Sequence, residues 1–443
     1  MKTRTHFLIA AGLLATAALT HADTSYVTNP VVYIAGSTAF APLDNAALDS
    51  WATNAGYSLV ATTGNTDVKK AKAALYARTN APVKKGTGYQ ASIDYINVHQ
   101  TGSEAAIESA SSGGKVGNIP FLANDARGLG LADASSNYPN INAVNILTSP
   151  VYQKNSQFYP KSKVGGFSAA ALTEILPTNS SKGIAIQAYA WSAGTNFPTN
   201  ALNITQDTAQ ALFRDGNVPL SYFTGNDADA TNGVWLIGRD VAAGVRVQWQ
   251  IHTGYGALTT AKQFWVTNNN GSLALALTPT NPVLGIYQPA GNGGFSSASL
   301  QQANATNTLP PNVQVDLTGN GTYANSPYTG TNYLIQYNAY GNSVGLTNSG
   351  GRPLLLALSY NGVAPTENGV KNGSYTQWSY EHVYATVKPT NAAAIATAIA
   401  NTIAGQTTAQ IKAAVKAPGY FNINDLNVYR TTDGGPVFPV SKK

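Results

Sequence analysis

Residues 31–43 read VVYIAGSTAFAPL: a short apolar β-type run breaks at Gly36 into small and hydroxyl residues, then opens an alanine-rich stretch with Pro42 near its start. A strand that feeds a helix through so short a turn is a βα unit, and such units build sheets covered by helices. Pro42 suits the first helical turn, because the N–H it lacks is one that a helix leaves unused there. The layout also makes an anion cradle. Gly36 permits a sharp turn, Ser37 and Thr38 offer hydroxyls, and the unpaired N–H groups of the first helical turn point beyond the strand end. A strand, a glycine turn and a capped helix without any ligand fit the same residues equally.

Ahead of this segment, Lys2 and Arg4 precede the apolar residues 7–19, and Thr20-His21-Ala22 ends in a small residue. Residues 1–22 therefore read as a secretory signal peptide, with the mature chain starting near Asp23 and destined for the periplasm or the exterior. No other stretch approaches the roughly 20 consecutive apolar residues of a membrane-spanning helix. The chain has no cysteine, which excludes a disulfide framework and a lipid-anchored N-terminus. At 443 residues it can bury a sizeable core and suggests two or more domains. Only 10% of residues are charged and the formal net charge is +6. That mild excess helps to draw in an anion, but without runs of Lys or Arg it is no nucleic-acid footprint.

Strand and helix patterns alternate through the first third. Residues 58–63 and 92–98 have strand character, residues 66–78 and 103–111 read as helices, and residues 115–132 pass through turn and strand material. A strong strand follows at residues 183–191, and residues 204–215 describe an amphipathic helix capped near Thr205. Residues 263–350 turn to β-type runs between Gly/Asn/Ser/Thr stretches, with 292–331 the most loop-like, and residues 391–416 return to an alanine-rich helix. The expectation is an α/β fold.

Three further sites repeat the anion theme. Thr101-Gly102-Ser103-Glu104 places Ser103 at an N-cap and Glu104 in the first turn, which also describes plain capping. Asp133, among the small residues 130–135, is a carboxylate that could accept a hydrogen from a protonated oxyanion, or a turn aspartate. Residues 234–246, VWLIGRDVAAGVR, end an apolar strand in Arg239-Asp240 and continue through Ala243-Gly244. Arginine matches a tetrahedral oxyanion with forked donors, and a structural salt bridge is the alternative.

Taken together, the four sites resemble type 2 periplasmic binding proteins, specifically the phosphate-binding component of ABC transporters. GSTAFAPL is similar to that family's hydroxyl loop ending in an aromatic, TGSEAAI to its Gly-Ser helix start, GLADAS to its small-small-Asp turn, and RDVAAGV to its Arg followed by Ser-Gly-Thr. Residues 361–387 resemble the segment that crosses back between the lobes. The resemblance implies a two-lobed α/β clamp with a β-rich, loop-rich second lobe. One lobe would comprise residues 23–188 plus 378–443 and the other residues 189–377, closing on an anion about two crossing strands. It further implies ligand contacts at Thr38, at Ala39 and Phe40 through backbone N–H groups, at Ser103 through hydroxyl and backbone, at Asp133 as acceptor, at Arg239 as charge partner and at Gly244. Phosphate or a similar oxyanion is the implied ligand, an ABC permease the implied partner, and a monomer without cofactor the implied state. Ala39, Ala243 and Val245 depart from the pattern by lacking hydroxyls. At about 0.5–1.5 kcal/mol for each neutral hydrogen bond, three losses cost roughly 2–4 kcal/mol.

An enzyme is not expected. Beyond the leader the histidines are His99, His252 and His382, far apart, which leaves little for a metal site or a nucleophilic triad. Asp227 and Asp229 sit in a loop without the glycine and closing glutamate of a calcium-binding loop. The rival reading is a surface or matrix protein that keeps the clamp scaffold with a decayed ligand site.

Overall fold

A computed structural model of the chain describes residues 26–28, 30–63, 65–85, 88–122, 140–164, 166–257, 259–278 and 289–440. Residues 1–22, which the sequence reads as a signal peptide, and Asp133 lie outside the described residues. The helices are α1 (Ala41–Asn54), α2 (Ser103–Ser112), α3 (Gln206–Asp215), α4 (Ser221–Thr224), α5 (Gly244–His252), α6 (Ala298–Ala305), α7 (Glu367–Asn372), α8 (Ala392–Ala404) and α9 (Thr408–Val415). No helix among the described residues is long and apolar enough to cross a membrane.

The fold is mixed α/β. The apolar run Val32–Gly36 lies between Gly88–His99 and Ile146–Ser149 and is parallel to both, with Ile34 opposite Val98 on one side and Ile146 on the other. A strand in that position is covered on both faces, which explains its uninterrupted apolar sequence. Phe40, Leu43 and Leu48 from the start and middle of α1 pack with Ile395, Ile399 and Ile403 of α8 against Val32, Ile34 and Val98. The spacing of four in α8 puts its isoleucines on one stripe. Ala106, Ile107 and Ala110 of α2 cover the opposite face through Ala35 and Leu147.

A second group of strands forms around Asn332–Ala339, which is parallel to Gly233–Ile237 and antiparallel to part of Ala185–Gly194. Phe213 of α3 and Trp249 of α5 pack with Trp191, Leu236 and Tyr337 there. The two groups are joined through Ala185–Gly194, whose ten residues are all buried. Ala185 to Ala188 pair with Glu381 to Trp378, whereas Tyr189 to Ala193 pair with Ala339 to Ile335. Trp378–Ala385 returns alongside and continues onto Ile146–Ser149 through its last four residues.

Three sequence expectations are corrected. Residues 66–78 are not a helix: a single 3-10 turn, Val68–Lys70, is capped by Asp67, and the strand Ala73–Lys85 follows. That strand pairs with Gly88–His99 from Ala73 opposite His99 to Lys85 opposite Gly88, and Ala73, Ala74, Leu75 and Tyr76 are buried. A long ladder with burial on both faces outweighs the helix propensity of alanine and lysine. The helix expected over residues 391–416 is two, because Gly405 ends α8 and a capping box of Thr407 with Gln410 starts α9. The loop-like residues 292–331 contain α6, held by Gln301, whose buried Nε2 donates to the carbonyls of Ile237 and Tyr337 at 2.9 and 2.8 Å.

Candidate functional site

Gly36 ends its strand against Thr148. A Cβ at Gly36 would stand 2.2 Å from Thr148 Oγ1 and 2.6 Å from its carbonyl oxygen. Glycine is needed here for close approach of two strands rather than for an unusual φ. The Ser37 N–H donates to the Thr148 carbonyl at 3.1 Å, and Thr148 Oγ1 donates to Asp44 Oδ2 at 2.6 Å, tying the loop to the first turn of α1. Burial pushes the Asp44 carboxyl up to about 7, against the lowering effect of its hydrogen bond from Thr148. The Phe40 N–H donates to the Ser37 carbonyl at 3.1 Å and closes a turn. Its ring is fully buried, edge-on to Tyr420 at 5.2 Å. Phe40 is thus a core residue, while Thr38 is exposed and Ala39 half-buried.

The second loop shifts the expected cap by one residue. Gly102, at φ +131°, is the N-cap of α2 and Ser103 is its first helical residue. The Gly102 N–H donates to the Gly36 carbonyl at 2.9 Å, so the two loops are bonded to each other. The Glu104 N–H donates to the Ala242 carbonyl at 3.2 Å. The Glu104 side chain turns away and accepts from Ser156 Oγ at 2.8 Å and from the Gln157 N–H at 3.2 Å. Burial pushes this carboxyl up to about 7, and Glu108, a turn later, is raised to about 7 by burial and by Glu104.

The third loop follows Gly233–Ile237. Arg239 is buried; its Nε donates to the Phe295 carbonyl and its Nη2 to the Ser296 carbonyl, both at 2.9 Å, and its N–H donates to the Tyr337 hydroxyl at 3.1 Å. Asp240 accepts from the Ala242 and Ala243 amides beside Arg239 and Arg246; burial raises its carboxyl, and the two guanidinium groups oppose that rise. The chain then enters α5 at Gly244, where a Cβ would stand 2.8 Å from Pro150 Cγ and 3.0 Å from Ser103 Oγ. The N-termini of α5 and α2 therefore meet, and neither helix has a side-chain cap.

Of the residues expected at a ligand, Ser103 and Gly244 are brought into contact. Thr38 and Ala39 line a cleft of about 580 Å³ that Ser296 also lines, and the Ser296 carbonyl holds Arg239. Phe40 faces the core, and Asp133 lies outside the described residues. Among the described residues no three His, Asp or Glu side chains gather as metal ligands. In the Asp227–Thr231 turn, Asp229 Oδ2 accepts from Thr224 Oγ1 at 2.7 Å.

The sequence did not reveal the Ala242 carbonyl, Pro150 or Tyr420 as parts of this region. Pro150 and Tyr420 arrive from distant segments, and a backbone carbonyl carries no sequence signal. Ser296 sits in the hydroxyl-rich run Ser296-Ser297-Ala298-Ser299, a signal that could have marked the far wall.

No protein-family model and no curated protein matches the chain. Solved structures do resemble it. One, from Clostridium perfringens and assigned as the substrate-binding protein of a phosphate ABC transporter, was solved with bound phosphate. It is 14% identical, with 89% of this chain and 100% of that one covered and a TM-score of 0.41. An ABC-type phosphate transport receptor from Vibrio cholerae is 10% identical, with 88% and 99% covered and a TM-score of 0.42. The structural neighbours are phosphate-transport binding proteins.

Proposed function

We propose that this chain is an exported, non-enzymatic binding protein that closes two lobes on a small oxyanion, phosphate first among them. The lobes are residues 23–188 with 378–443 and residues 189–377; Ala185–Gly194 runs across their boundary, and the chain returns to the first lobe at Trp378. The supporting observation is the meeting of two uncapped helix N-termini at Ser103 and Gly244. Each such terminus carries roughly half a positive charge, so two of them held together call for negative charge or strong acceptors between them.

Asp240, which accepts from the Ala242 and Ala243 amides, and the Ala242 carbonyl, which accepts from the Glu104 amide, fill that role in the structure. A tetrahedral oxyanion offers more lone pairs and more charge than one carbonyl, and it would displace Ala242 from the Glu104 amide. Arg239 adds a full positive charge in the same loop, and Asp133 serves as acceptor for a protonated oxyanion. Delivery of the bound anion to an ABC permease, by a monomer in the periplasm or outside the cell, completes the reading.

Calorimetric titration with phosphate, arsenate and sulfate at fixed ionic strength tests it. Saturable 1:1 heat with phosphate and arsenate is expected, and absence of heat with all three overturns it. A second reading, a surface or matrix protein on the same scaffold, draws support from the Glu104 amide already holding a carbonyl and from Ala39, Ala243 and Val245 in place of hydroxyl residues. Under that reading the melting temperature stays flat in millimolar phosphate.

A further inference from the structure

The cleft beside Thr38 is far larger than one tetrahedral oxyanion needs. At about 580 Å³ it falls within the roughly 300–1,000 Å³ of pockets that take small organic molecules. A second cavity of about 610 Å³ shares Pro42, Lys69, Lys70, Val415 and Lys416 with it. Lys69, Lys70 and Lys416 thus stand on the divide between two contiguous hollows. Among the described residues the acid lining either hollow is Asp67, which caps the turn Val68–Lys70 through the Lys69 N–H at 3.2 Å and pairs with Lys70 at 3.3 Å.

The lining brings two kinds of group together. One is the Thr38–Ala39 loop with Ser296, whose carbonyl holds the Arg239 guanidinium. The other is four lysines: Lys69 and Lys70 from the 3-10 turn, Lys72 just after it, and Lys416 from the end of α9. Lysines act as mobile point charges rather than as forks for one fixed anion, and a row of them suits charge spread along a ligand.

We propose that this cleft binds a linear chain of phosphoryl groups, its terminal group at the Thr38–Ala39 loop near Arg239 and the rest along Lys69, Lys70 and Lys416. The proposal rests on the oxyanion reading for the terminal group alone. An inorganic condensed phosphate and the triphosphate of a nucleotide share this chemistry.

The test is calorimetry on the purified protein at fixed ionic strength with orthophosphate, tripolyphosphate and ATP. It is run on the natural sequence and on the double variant Lys69→Gln/Lys416→Gln, with thermal melting to verify folding. Tripolyphosphate is expected to bind at least tenfold tighter than orthophosphate, and the double variant to lose that advantage while keeping its orthophosphate affinity. ATP matching tripolyphosphate assigns the ligand to organic triphosphates, and weaker ATP binding assigns it to inorganic chains. Equal affinity for orthophosphate and tripolyphosphate, or an advantage that survives the double variant, overturns the proposal and leaves the oxyanion reading standing. Lysine-dependent tripolyphosphate binding without any orthophosphate binding overturns the oxyanion reading instead. No binding of any of the three overturns both.

Discussion

At the scale of single residues, Gly244 is the position where the proposed site has least room. A methyl group there meets Pro150 Cγ at 2.8 Å and Ser103 Oγ at 3.0 Å, so Gly244→Ala pushes the starts of α2 and α5 apart. Overpacking of this kind costs about 1–3 kcal/mol. We expect a melting temperature lowered by a few degrees and a phosphate Kd raised at least tenfold in titration; an unchanged Kd would remove Gly244 from the site. Asp133→Asn addresses a different property. An acid that accepts a hydrogen from a protonated oxyanion favours phosphate over fully ionised sulfate, so its amide should narrow the ratio of the two affinities. Competition calorimetry that returns the same ratio for both proteins counts against this role.

At the scale of elements, α1 and α2 each bury a carboxyl in the first turn, Asp44 and Glu104, both raised to about 7 mainly by burial. The unfolded values lie near 4. Between those limits the folded chain holds protons that the unfolded chain has released, so their contribution to stability is full below about pH 4 and is lost as the pH rises through about 7. His252, held by burial well below its ordinary value, works the other way, adding stability as the pH rises through its unfolded value near 6.5. The Asp44 part is isolated by difference: Asp44→Asn should gain on the natural protein by up to about 1.4 kcal/mol per pH unit between pH 5 and 7. Parallel urea-unfolding curves across that range would show that Asp44 does not titrate there.

Element types were legible wherever local chemistry and packing agree. Thr205 capping α3, with its hydroxyl accepting from the Thr208 N–H, and the βα unit at Gly36 are examples. Residues 66–78 were not legible, because the helix propensity is overridden by pairing with Gly88–His99, which a local reading of these residues does not contain. The Ser103 cap was misread by one position because glycine and serine both serve there, and only the φ of Gly102 decides between them.

At the scale of the molecule, Ala185–Gly194 is one strand with two sets of partners, and the change falls between Ala188 and Tyr189. The proposed clamp, turning about this strand and the return of the chain at Trp378, should tighten on its ligand. Phosphate at one hundred times its Kd should stabilise the protein by about 2.7 kcal/mol, and the radius of gyration from solution scattering should shrink. A melting curve and a radius that both ignore phosphate favour the scaffold reading. By itself the sequence determined the α/β class, the apolar central strand and the small-residue loops that end strands, since periodicity, propensity and turn chemistry act over a few neighbouring residues. Only the tertiary structure decided that Phe40 is core, that Arg239 is held by two carbonyls, that Ala242 reaches the start of α2, and that lysines from two remote turns share one cleft. Those outcomes depend on which distant backbone arrives at each loop, and no short-range rule contains that information.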